Sequence, residues 1–158
     1  MSITVRLVVS GAKRLQNDLE VTAKGMNDLR GFFRDILSPL LTIEYDKYAT
    51  REAGPEGPWA PLAQSTIEDR LRKGFLAGPI LWRTGDGFMS LIDPTSPGGF
   101  ESISAQSYMR GTDREYMYLH ESGTGTMPAR RWSPGDKFWK MVEEELADYV
   151  VKPLKGKR

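Results

Sequence analysis

Cysteine is absent from the 158 residues. Disulfides, thiolate nucleophiles and Cys-ligated zinc or iron–sulfur centres are therefore excluded. Histidine occurs once, at His120, so one chain cannot assemble a multi-histidine metal site. Charge of one sign is lacking too, since 22 Lys and Arg against 21 Asp and Glu leave a formal net charge of +1. No global field recruits nucleic acid or a membrane surface, although a local basic patch stays open. Long hydrophobic runs are missing, and nothing approaches the roughly 20 residues that span a bilayer. The N-terminal Met1-Ser2-Ile3-Thr4-Val5-Arg6 has no basic region ahead of an apolar one, so it does not read as a secretory signal. The expectation is a single domain over 1–158, made in the cytosol, without membrane attachment.

What is present is periodicity. Ile3, Val5, Leu7 and Val9 alternate with Thr4, Arg6 and Val8, predicting a half-buried strand over 2–9. Ser10-Gly11 breaks it, and Leu15 with Leu19 suggests a short helix. Met26, Leu29, Phe32, Phe33, Ile36, Leu37, Leu40, Ile43 and Tyr48 then keep helical spacing. Pro39 is expected to kink that helix, or to restart it at the first position behind a Ser38 cap. Residues 53–61 hold three prolines and two glycines and read as a long loop carrying an exposed aromatic, Trp59. Ser65-Thr66 is placed as the cap of a helix ending near Lys73-Gly74. Residues 81–92 read as a turn and then a helical turn, 94–99 as a loop, 100–110 as one strand, and 114–121 as a short helix. Ser133-Pro134 is expected to open a last helix running to Val151, ahead of a flexible basic tail, 152–158. The fold class is therefore α+β: a small, mostly antiparallel sheet packed against a long kinked helix and a C-terminal helix.

Candidate chemistry is sparse. His120 and Glu121 are adjacent, and neighbours on a helix point about 100° apart, so they do not serve one atom as an acid/base pair. Ser122 lacks any marked oxyanion hole or orienting group. A packed or interfacial histidine is the reading that remains. Gly123-Thr124-Gly125-Thr126 and Thr84-Gly85-Asp86-Gly87 lack the lysine of a phosphate loop and read as turns. Asp86, Asp93 and Asp113 are too scattered for a calcium loop. No catalytic, cofactor or metal residue is assigned. Arg130-Arg131-Trp132 could grip phosphate and stack on a base, but arginine and tryptophan are also favoured at protein interfaces. Trp59 reads equally as an anchor for a neighbouring chain or a lid over its own core.

Three segments carry a family likeness. Gly57-Pro58-Trp59-Ala60-Pro61-Leu62 is followed by Ser65-Thr66. Ile80-Leu81 is followed by Thr84-Gly85 and Ser90-Leu91-Ile92. Tyr116-Met117-Tyr118-Leu119-His120-Glu121-Ser122-Gly123 is followed by Pro128-Ala129-Arg130. In this order, over roughly residues 25–150, they resemble the phage virion morphogenesis family, the tail-completion proteins of Mu-like and P2-like contractile-tailed phages. Three places depart from the family pattern. Gly87-Phe88 stands where a leucine is expected, Arg131-Trp132 replaces Pro-Phe, and Glu121 replaces Gln.

The resemblance implies a non-enzymatic α+β subunit without cofactors, forming a hexameric ring at the head-proximal end of the tail or in the neck. Its partners would be further copies of itself, the tail tube protein and the head connector or neck proteins. DNA would pass through without being bound specifically. The protein would reside in the virion, after assembly in the host bacterial cytoplasm. A ring needs head-to-tail contacts between two different patches. The Trp59 loop and the Pro128–Trp132 segment are the candidates, with Trp59, Pro61, Leu62, His120, Pro128, Arg130, Arg131 and Trp132 as interface residues. A proline-rich loop ordered only on assembly would delay subunit joining. Lys155, Lys157 and Arg158 could face a DNA-filled lumen. Alternatives are a neck or adaptor protein of the same machine, or a small nucleic-acid-binding module using Arg130, Arg131 and the tail.

Overall fold

The computed structural model describes residues 12–155. The strand expected over 2–9, and residues 156–158, lie outside the described residues. Helix α1 (Ala12–Asn27) is followed by a near-continuous helical run. That run comprises α2 (Arg30–Phe32), a π-helical turn (Phe33–Leu37) and α3 (Ser38–Arg51). Pro39 explains the π turn. Its nitrogen cannot donate and its ring crowds the preceding turn, so the ladder widens there and the Ser38 N–H reaches back to Phe33 O. The extra residue shifts the helical phase and turns Phe32, Phe33 and Leu37 inward together. The chain neither stops at Pro39 nor uses Ser38 as a side-chain cap. Ser38 Oγ donates instead to Glu101 Oε1 at 2.6 Å.

After α3 the chain turns through Glu52, in the left-handed region at φ 49°. It then makes a two-residue antiparallel ladder, β1 (Ala53–Gly54) with β2 (Gly57–Pro58). The proline-rich stretch is therefore more regular than its composition predicts. Helix α4 (Gln64–Arg72) begins one residue before Ser65. The Ala63 carbonyl accepts from Thr66 and Ile67, and neither Ser65 nor Thr66 caps it. Helix α5 (Asp86–Ile92) then leads into a hairpin, β3 (Gly99–Ile103) with β4 (Tyr108–Thr112), paired from Gly99↔Thr112 to Ile103↔Tyr108. The single strand expected over 100–110 is thus two strands. Ser104 and Ser107 close the turn between them, Ser104 N donating to Ser107 O at 2.8 Å. Alternation alone cannot register a four-residue turn of small polar residues, because the period carries across it.

Helix α6 (Glu115–Ser122) and helix α7 (Asp136–Lys155) complete the described chain. The last helix starts later than Ser133-Pro134 because Ser133 is engaged elsewhere; the Gly135 carbonyl accepts from Phe138 and Trp139 instead. Residues 152–155 belong to α7 rather than to a tail. The fold is α+β, with two separate two-stranded antiparallel ladders in place of one sheet. The core is aromatic-rich. Phe32, Phe88, Leu91 and Met117 are sealed from solvent, joined by Leu41, Tyr45, Tyr48, Trp59 and Phe138. Among the described residues, no helix is long and apolar enough to cross a membrane.

Candidate functional site

The chain leaving α6 and the segment that follows β2 are stitched together by backbone-directed bonds. Gly123, at φ 73°, lets the chain leave α6 in a conformation that costs L-residues strain. The chain then doubles back. Arg130 N donates to His120 O at 2.7 Å. The Arg130 side chain donates through Nε to Ala60 O at 3.0 Å and through Nη2 to Pro61 O at 3.2 Å. Trp59 Nε1 donates to Arg131 O at 2.9 Å. The Glu121 carboxylate accepts from Trp132 N, Ser133 N and Ser133 Oγ, and Trp132 Nε1 donates to Met117 O at 2.9 Å. A loop with few side chains to bury is thereby held by its own peptide groups.

These bonds shape an open groove of about 880 Å³ between α4, the start of α5, α6 and the 126–130 segment. Pro61, Leu62, Leu81, Met127 and Pro128 give it apolar walls. Arg70 and Arg130 also line it, only 6% and 4% exposed. Arg70 Nη1 donates to Pro79 O at 2.9 Å. Arg83 stands exposed at the rim, its guanidinium 4.6 Å above the Phe75 ring. None of these three arginines makes an ion pair among the described residues. Burial lowers the Arg70 pKa, with Arg83 adding to the shift and Glu52 opposing it. Burial and then Arg70 lower that of Arg130.

His120 completes the groove beside Tyr116, whose ring meets it edge-on at 6.4 Å. Burial first, then the charges of Arg130 and Arg70, push the His120 pKa down to about 4. The imidazole is accordingly neutral near pH 7. Its Nδ1 is buried without a hydrogen-bond partner. Glu121 turns the other way, toward residues 132 and 133, so the adjacent pair serves two different places. Ser122 Oγ donates to Tyr118 O at 2.8 Å. Among the described residues no group of acids and histidine could hold a metal.

Of the residues singled out from sequence, Pro61, Leu62, His120, Pro128 and Arg130 meet in this groove. Trp59 does not; it is a core residue, 8% exposed and packed on Phe88 at 5.7 Å, so the lid reading is the correct one. Trp132 is half-buried against Tyr45. Arg131 points away and pairs with Glu56 at 2.6 Å, beside a second hollow of about 670 Å³. Lys155 lies in the last turn of α7, its side chain outside the described residues, as are Lys157 and Arg158.

The Trp59 loop and the Pro128–Trp132 segment, expected as two patches, are one, because each is bonded to the other within a single subunit. The proline-rich loop is likewise tied into its own subunit, Trp59 N donating to Glu52 O at 2.9 Å. Arg70 and Arg83 were not legible as site residues. In sequence they are ordinary polar positions of an amphipathic helix and a turn. No family model, curated protein or solved structure matches the chain.

Proposed function

We propose that this chain is a structural subunit of a tailed-phage particle, completing the tail and joining it to the head as one member of a ring. One observation carries the reading. The three segments that resemble the tail-completion family, separated by tens of residues, converge on one groove, with Pro61 and Leu62, then Thr84 and Gly85, then His120, Pro128 and Arg130 among its lining. Arg130 is spent on the backbone carbonyls of Ala60 and Pro61 and His120 stands beside it with no nucleophile to serve, which favours a shaped, cationic surface over a reaction centre. An apolar-walled groove with arginine in it is the kind of surface at which subunit contacts concentrate energy. In this reading the groove is one half of the contact between neighbours in the ring.

The test is the absolute mass of the purified protein by light scattering over a concentration series, with negative-stain imaging of large species, alone and with isolated tails. Closed rings, free or at tail ends, are expected. A protein that stays monomeric and ignores tail ends would overturn the reading.

A further inference from the structure

A ring contact is heterologous, so the groove requires a complementary surface elsewhere on the same chain. With the Trp59 loop and the 128–132 segment merged into one site, that surface must lie on another element. The groove dictates its chemistry. Two buried guanidinium groups and one exposed one converge with no carboxylate in ion-pair distance. The only acids in the lining are Asp69, already engaged by Arg72 and Lys73, and the exposed Asp86. The walls are apolar. The occupant therefore carries a carboxylate beside a large apolar side chain.

Helix α7 presents that combination. Glu143, Glu144 and Glu145 are all exposed and make no ion pair among the described residues. Trp139, 43% exposed, precedes Glu143 by four residues and so shares its helical face. Trp139 Nε1 donates to Pro134 O at 3.0 Å, which fixes the ring at the surface. An indole against Leu62, Met127 and Pro128, with a carboxylate reaching the arginines, would match both apolar area and charge.

We propose that the groove of one subunit receives the Trp139–Glu143 face of α7 from a second copy of this chain. The proposal rests on the ring reading for its biological setting, but the contact stands on the charge and shape of the two faces. Duplex DNA is the poorer fit. Its phosphates run along an outer surface, whereas Arg70 and Arg130 are almost unexposed and the groove lining also carries the exposed Asp86.

The experiment uses exposed positions, so that folding is spared: Arg83→Glu in the groove, and Glu143→Lys on the helix, with circular dichroism as the check on each. Light scattering at low salt is expected to show wild-type association shifted to about tenfold higher concentration or more in either variant alone, and weakened by salt in the wild type. A 1:1 mixture of the two variants should regain association, because each mixed pair keeps one intact groove facing one intact α7 face. Variants that associate like wild type, a mixture that gains nothing, or a wild type that stays monomeric would each overturn the proposal. So would salt-sensitive duplex DNA binding abolished by Arg83→Glu, which would assign the groove to phosphate.

The two readings fail separately. Closed rings indifferent to both variants would remove this contact and leave the ring. Open head-to-tail chains that respond to the variants would remove the ring and leave the contact.

Discussion

At Arg110, one side chain ties together three elements that share no sequence neighbourhood. Its side chain is 1% exposed. Nε donates to Leu91 O, Nη1 to Ser38 O and Ser38 Oγ, and Nη2 to Thr42 Oγ1, Leu91 O and Ile92 O, at 2.6 to 3.2 Å. Leu91 and Ile92 end α5, where carbonyls have no partner within the helix. Arg110→Met should therefore leave those carbonyls without their donor and remove the cation 3.8 Å from Glu101, at a cost of about 3 kcal/mol or more, read from the urea midpoint. His120 makes the second prediction at this scale. Its folded pKa, about 4, lies below the ordinary value near 6.5. Between those values the unfolded chain binds a proton that the folded chain refuses. Stability is then complete above about pH 6.5 and falls as the pH drops toward 4. The ring is partly open to solvent, so the loss is on the order of 1–2 kcal/mol rather than the full value of the shift. His120→Gln should flatten that part of the stability–pH curve.

Among the elements, the smallest ladder carries a disproportionate structural burden. Gly54 in β1 faces the Arg131 carbonyl so closely that an added Cβ would collide with it, and Trp59 Nε1 lies 2.8 Å from the same point. Neither neighbour is a flexible chain end, and both belong to the bond that joins the two halves of the groove wall. Gly54→Ala should cost about 2 kcal/mol and perturb Trp59 fluorescence, whereas Gly57→Ala, with open space around it, should strain only its own backbone at φ 124°. Equal destabilisation without any change at Trp59 would contradict the close-contact argument. The π turn before Pro39 is likewise an element-scale device, since it sets which phenylalanines enter the core.

For the whole molecule, near-neutral net charge conceals a segregated surface. Arginines gather at one groove and glutamates along α7, so the electrostatics is that of separate local faces and not of a global field. The long helical run, the Pro39 perturbation, α4, α6, α7 and the α+β class were readable from residue order, because helical periodicity and proline chemistry act within a few residues. The β3–β4 hairpin was not, because alternation continues in phase across the Ser104–Ser107 turn. The exposed look of Trp59 misled for a related reason: a proline-rich neighbourhood predicts irregular backbone but says nothing about what packs on the side chain. Sequence by itself determined the residue types available, the absence of thiols and of any second histidine, and the existence of the helices, though not the length of α1 or the two ends of α7. Only the tertiary structure decided that Arg70, Arg83, Arg130 and His120 share one groove, that Trp59 belongs to the core, and that Arg110 holds α3, α5 and β4 together. Such contacts join residues separated by tens of positions. Their energies depend on burial and on which backbone carbonyls arrive nearby, neither of which local residue order specifies.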